Sequence, residues 1–351
     1  MWFTSDNAGP AAPEILAALS AANEGYAMPY GADDLSARVT ARVREIFEAP
    51  EAVVHLVATG TAANSLALAC LAPPWSAIHC HEAAHVEVDE CGGPEFFTGG
   101  AKLSLVPGAH AKMDPGRLDA ALAATGGAVH HVQRGAVSIT QATELGAVYA
   151  PEEVAEIGGI ARRHGVPLHM DGTRFSNAVA RLGCTPAELS WKAGVDVLCL
   201  GATKCGALAA EAVILFDGDR ARAWEFELRR KRGGHLFSKM RYVAAQMDAW
   251  LTDGLWLNLA ARANTAADRL AAGLRASNAA ELPHPVEANM LFPALPRAAH
   301  RRLQEAGARY YLWPAGQSLE GPEDEAVSCR MVTNWATADA EVDAALAALG
   351  G

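Results

Sequence analysis

The stretch VDVLCLGATKC, residues 195–205, decides how the rest of the chain is read. Val195, Val197, Leu198, Cys199 and Leu200 form an apolar run too brief for a helix and suited to a buried strand. Gly201, Ala202 and Thr203 end it in small residues, and Lys204 follows at once. A lysine delivered by a buried strand through such a turn sits where its amine loses charge by desolvation. That is the state a Schiff-base lysine needs. Taken alone, the stretch equally describes a solvated lysine at a strand end.

A second run, VPLHMD (166–171), ends on a carboxylate followed by Gly172, Thr173 and Arg174. An aspartate at a strand's C-terminal end, upstream of such a lysine, suits pyridoxal phosphate. Asp171 would pair with the pyridinium nitrogen and keep it protonated, making the ring an electron sink. The same residue also reads as an N-cap for a helix over 173–182. A third stretch, ATGTAAN (58–64), is a strand-to-helix turn whose backbone N–H groups suit a phosphate. Together, in this order, the three describe a cofactor site.

Nine blocks extend the pattern along the chain: SDN (5–7), PYGADD (29–34), TGTAAN (59–64), HEAAHVEVDECGG (81–93), VSITQATELG (137–146), HMDGTRFSNA (169–178), GATKCGA (201–207), RRKRGGHLFSK (229–239) and CRMVTNW (329–335). In these blocks the chain resembles the low-specificity L-threonine aldolases, pyridoxal-phosphate enzymes of the aspartate-aminotransferase-like fold (fold type I). The resemblance implies a mostly parallel central sheet flanked by helices, plus a smaller α/β C-terminal domain. It implies Lys204, His85 and Asp171 as catalytic residues, with His85 stacked on the cofactor ring. Gly60, Thr61, Arg174, Arg230 and Lys231 join them in holding the cofactor. Ser5, Tyr30, Arg174 and Arg330 would bind substrate, with Tyr30 reaching a neighbouring subunit's site.

The activity implied is cleavage of L-threonine, L-allo-threonine and related β-hydroxy-α-amino acids, such as phenylserine, to glycine and an aldehyde. The alternatives are another fold-type-I lyase that eliminates at the β-carbon, a racemase, or a metal-binding regulatory protein with His79, His81 and His85 as ligands. No metal is expected, because those histidines lack a fourth ligand. The better-known branch of the family carries a histidine near Thr143 and Glu144, so no general base is assigned in that loop.

Length and composition agree with this reading. A chain of 351 residues, half of them apolar, suggests two domains around a large core. An N-terminal segment (1–35), a cofactor domain (36–255) and linking helices with a small domain (256–351) are expected. Alternating strands and helices between 53 and 216 imply parallel order, with the site at the strands' C-terminal ends. A net charge of −11 argues against nucleic acid as a partner. Seven cysteines without a CxxC pair read as reduced thiols. With neither a secretory signal nor a membrane-length apolar run, a cytoplasmic protein is the expectation. The resemblance, with Tyr30 and the run 229–232 serving a neighbouring subunit's site, implies at least a homodimer and a homotetramer as the expected assembly. The basic run 229–232 reads by composition as a solvated face.

Overall fold

The computed structural model describes residues 1–277 and 280–349. Two helices, α1 (Pro13–Ala22) and α2 (Asp34–Ile46), precede the first strand. Asp33 caps α2 by accepting the Ser36 N–H at 2.9 Å. Seven strands then build one sheet: β1 (Val53–Val57), β2 (Ser76–Cys80), β3 (Lys102–Leu105), β4 (Gln133–Thr140), β5 (Leu168–Gly172), β6 (Val197–Gly201) and β7 (Glu211–Leu215). Their order is β1-β7-β6-β5-β4-β2-β3. The pairs from β3 through to β6 are parallel, and β7 runs antiparallel to both β6 and β1. Every residue of β2, β5, β6 and β7 is buried. Strands covered on both faces show an unbroken apolar run instead of alternation, which is why these segments stand out in the sequence.

The intervening helices cover the two faces: α3 (Gly60–Leu71), the short α4 (His85–Val88) and α5 (Gly93–Thr98), α6 (Pro115–Ala124), α7 (Pro151–Arg163) and α8 (Phe175–Leu182). After β7 come α9 (Arg220–Arg232), α10 (Arg241–Leu251) and the long α11 (Leu255–Ala276). The basic run 229–232 is the last turn of α9, where cations complement the C-terminal end of the helix dipole. A smaller sheet follows, built from β8 (Met290–Leu291), β9 (Ala294–Pro296), β10 (Tyr311–Leu312) and β11 (Ala326–Val332). All three partners of β11 are antiparallel to it. Helices α12 (Arg297–Glu305) and α13 (Asp339–Leu349) pack on this sheet.

Two glycines set the distance between β5 and β6 at the end where Asp171 and Lys204 emerge. A Cβ at Gly201 would lie 2.7 Å from Thr173 Cα, and one at Gly172 would lie 2.6 Å from Leu198 Cδ1. Both contacts are closer than any side chain tolerates, so only glycine lets the two strand ends close on each other. No described helix is long and apolar enough to cross a membrane.

Candidate active site

A cavity of about 620 Å³ opens at the C-terminal ends of the parallel strands, and Lys204, His85, Gly60 and Thr61 all line it. Lys204 stands in a tight turn, Thr203–Cys205, directly after β6. The turn is pinned from behind: Trp250 Nε1 donates to the Cys205 carbonyl at 2.8 Å, and Ala12 N–H donates to the Gly206 carbonyl at 2.8 Å. Burial pulls the Lys204 ammonium below the ordinary lysine range and Arg174 adds to the effect, while Asp6, Asp171 and Glu211 oppose it. The amine is therefore biased toward its nucleophilic form.

Asp171 lies just behind the cavity wall, bonded to two residues that line it. Its Oδ1 accepts from Thr173 N–H at 3.0 Å and from Thr173 Oγ1 at 2.6 Å; its Oδ2 accepts from Asn64 Nδ2 at 2.9 Å. Burial alone would push this carboxyl up. The charges of His85 and Lys204 and the bonds from Thr173 outweigh burial and hold it below the usual carboxylate range. The N-cap of α8 is Arg174, not Asp171.

The third element is the start of α3. Thr59 is its N-cap: Oγ1 accepts from Ala62 N–H at 3.2 Å, and the Thr59 carbonyl accepts from Ala63 N–H. The N–H groups of Gly60 and Thr61 are left pointing out of the helix end into the cavity. An amine biased neutral, a carboxylate kept ionised and an open helix N-terminus are the donor set that pyridoxal phosphate requires for its aldehyde, ring nitrogen and phosphate. The residues present fit that group.

His85 is bonded on two sides. Its Nδ1 meets Glu90 Oε1 at 2.9 Å, and its backbone N–H donates to Glu144 Oε1 at 2.7 Å. Glu144 thus sits behind the histidine, with its carboxyl pushed up to about 7 by burial. The other two histidines point elsewhere: His79 Nε2 lies 3.2 Å from Thr125 Oγ1, and His81 spends both ring nitrogens on Gly108 and Ala83. The three do not gather as a ligand set.

Arg330 stands on β11 and Arg174 at the start of α8; neither lines the cavity, although the charge of Arg174 acts on Arg330. Arg330 donates to the Thr4 carbonyl at 3.3 Å and lies over the rings of Tyr311 and Trp313. Arg174 donates to Asp6 Oδ2 at 2.5 Å. Each guanidinium keeps a buried Nε that takes no partner among the described residues. Ser5 does not line the cavity; it caps the short turn that follows by accepting the Asn7 N–H. Its neighbour Asp6 does line it, bonded to both Arg174 and Asn289. Sequence reasoning missed Asp6, although the SDN block contains it.

Two expected contacts lie away from this cavity. Arg230 turns inward, and each terminal nitrogen already donates within the chain, one to the Leu56 carbonyl at 3.0 Å and one to Glu227 at 2.6 Å. Tyr30 is half exposed, with Lys231 Nζ 4.7 Å from its ring centre. Of the basic pair, Lys231 is the exposed one.

The fold and this donor set define a pyridoxal-phosphate enzyme of fold type I, and the β-eliminating lyase family matches residues 3–296. The chain is 41% identical over 341 residues to the low specificity L-threonine aldolase of Pseudomonas sp. (strain NCIMB 10558), covering 97% of this chain and 94% of that one. It is 45% identical over 310 residues to the enzyme of the same name from Pseudomonas aeruginosa, covering 88% of each. A threonine aldolase structure from Leishmania major superposes with a TM-score of 0.90 at 28% identity, covering 99% of this chain and 98% of that one. Serine palmitoyltransferase from Sphingomonas wittichii, at 16% identity and a TM-score of 0.72, shares the fold. This chain belongs to the low-specificity L-threonine aldolase family.

Proposed function

We propose that the cavity is where this pyridoxal-phosphate-dependent aldehyde-lyase splits L-threonine, L-allo-threonine and related β-hydroxy-α-amino acids into glycine and an aldehyde. The observation that carries the reading is the pair formed by Lys204, biased neutral, and Asp171, kept ionised, at one end of the parallel sheet. Pyridoxal phosphate supplies an aldehyde that an amine can capture and a ring that accepts the electron pair of the broken Cα–Cβ bond. Lys204 would hold the aldehyde, Gly60 and Thr61 the phosphate, and Asp171 a proton at the ring nitrogen. Arg330 and Arg174, each with an unused buried Nε, would clamp the substrate carboxylate and so set the torsion about Cα. His85 would stack on the ring and take the proton of the β-hydroxyl through Nε2.

Product analysis with L-threonine tests the reading. Glycine and acetaldehyde are expected; 2-oxobutanoate would favour the β-elimination that the family name describes, and D-threonine a racemase.

The clamp gives a second test. A charge-assisted pair contributes roughly 1.5–3 kcal/mol, so its loss weakens substrate binding about ten- to a hundredfold. Arg330→Lys keeps the charge and loses the planar fork. KM for L-threonine is therefore expected to rise and kcat to fall together, with the cofactor absorption band unchanged. A variant with normal KM that has lost its cofactor would move Arg330 to the cofactor or the fold.

A homotetramer, at the least a dimer with shared sites, is proposed because Lys231 and Tyr30 face outward together. An inactive Tyr30→Phe and an inactive Lys204→Ala variant, refolded together, are expected to recover activity in hybrids; a fully active monomer by light scattering would reject sharing. We propose divisions at 35/36 and 255/256. A second apolar cluster joining α11 to the small sheet supports a separate C-terminal unit, while Ala12, Ile15, Trp256 and Leu259 pack into the cluster of the large sheet across both divisions. Seven free cysteines support a reducing, cytoplasmic setting.

A further inference from the structure

Behind the cavity wall lies a buried polar chain that the proposed roles leave unused. Asn64, one turn into α3, donates both hydrogens of Nδ2: one to Asp171 Oδ2 at 2.9 Å, the other to Glu90 Oε1 at 2.8 Å. The same Glu90 oxygen meets His85 Nδ1 at 2.9 Å. Turning the amide over would set its oxygen against two carboxylates, so the donors can only face this way. The Glu90 side chain is fully buried, and no lysine or arginine among the described residues pairs with it. The chain path is built to put it there. Cys91 and Gly92 both take left-handed backbone angles immediately after Glu90, and Gly93 then presses against α3 beside Asn64. A Cβ at Gly93 would lie 2.8 Å from Ser65 Oγ.

Burial, with the Asp171 charge, pushes the Glu90 carboxyl up, and the bonds with His85 and Asn64 oppose that rise. Asn64 Nδ2 already donates to Glu90 Oε1; as a carboxylate Glu90 only accepts, and Nδ1 of His85 then carries the hydrogen of their bond. Nε2, on a ring that lines the cavity, then keeps its lone pair and takes no partner among the described residues. We propose that Glu90 is a positioning residue of the aldol reaction: it fixes His85 as the Nδ1–H tautomer, and Asn64 locks that carboxylate to Asp171. The inference rests on the reading of His85 as acceptor of the β-hydroxyl proton. Four charged groups act on His85: Glu90 on Nδ1, Glu144 on the backbone N–H, and Asp171 and Lys204 across the wall. The Glu90 bond is the largest influence and raises the basicity of the imidazole, with Asp171 in support and burial and Lys204 opposing. One asparagine thus couples the group that would hold a proton at the ring nitrogen to the group that would remove one from substrate.

Histidine nitrogen NMR of the cofactor-loaded enzyme is expected to find neutral His85 protonated on Nδ1; a hydrogen on Nε2 would overturn the proposal without any variant. In Glu90→Gln, kcat/KM for L-threonine is expected to fall roughly 10²-fold, the lower range for general-base assistance. The acid limb of its pH profile should move to lower pH, because the imidazolium has lost its carboxylate, while cofactor affinity stays normal. An equal fall at every pH together with cofactor loss would mark a purely structural role and reject the proposal, as would an unmoved limb. His85→Asn separates the two ideas: it should abolish that limb. If the limb survives there, the proton-acceptor reading of His85 fails first.

Discussion

Lys204→Ala is expected to lose at least about 10³-fold in turnover, the scale set by removing one member of a catalytic unit. The physical reason is that no other described amine has the same setting. Lys204 is half-buried in the turn after β6, where desolvation depresses its charge, with Arg174 adding to the depression and three carboxylates limiting it. Borohydride reduction of the loaded wild-type enzyme followed by peptide mapping should mark the peptide that carries GATKC, and the alanine variant should take up no label. Label on another lysine would sink the assignment whatever the kinetics. The fold should survive the change, because Trp250 and Ala12 hold the turn through backbone carbonyls and not through the lysine side chain.

Asp171→Asn carries the second large effect. The substitution keeps shape and removes charge. An amide oxygen can still accept from Thr173, but it cannot keep a proton on the ring nitrogen. Loss of one preorganised electrostatic stabiliser costs roughly 10²–10³ in kcat, and the effect here is expected at the upper end. Cofactor affinity should fall far less, because the phosphate is expected at the start of α3. The variant also places a new amide beside Asn64, whose Nδ2 now donates to Asp171 Oδ2, so the Glu90–His85 bond should loosen with it. Wild-type kcat at saturating cofactor would refute the electron-sink role. The sign of the pH dependence follows from the ionised state. Asp171 is held below the usual carboxylate range, so its contribution to stability is complete above the unfolded carboxyl's pKa. It is lost as pH falls through the lower folded value.

The two arginines show how the cavity balances charge before substrate arrives. Arg174 and Arg330 would repel each other, and Arg174 depresses Lys204. Asp6 sits beside Arg174, held below the usual carboxylate range against its burial by the Arg174 charge and by bonds from Arg174 and Asn289. A substrate carboxylate would enter a site that already holds one. The unused Nε atoms are the donors Asp6 leaves over. Asn289 also donates to the Thr333 carbonyl, so Asp6 ties the N-terminal segment to both the large and the small sheet.

Much of this protein was legible in its residues alone. The parallel sheet could be read because strands buried on both faces are continuous apolar runs, Asp171 lies at the C-terminal end of β5, and β6 leads into the turn that carries Lys204. Thr59 and Gly60 announced a helix start by their chemistry. The short strands β9 and β10 escaped, since two or three residues carry no period. Helix α9 escaped too, because its charged run masked its apolar side. What the sequence could not supply was direction at the scale of one side chain. Ser5 and Asp6 are neighbours, yet the turn that Ser5 caps sends Asp6 to the cavity. Arg230 and Lys231 are also neighbours, and a helical step of about 100° turns one inward and the other to the surface. Glu90 and Asn64 lie far apart along the chain; they meet only because Gly93 lets the turn after Glu90 close on α3. The types of residue and their order determined the chemistry, whereas backbone approach and rotation about each element decided which atoms perform it.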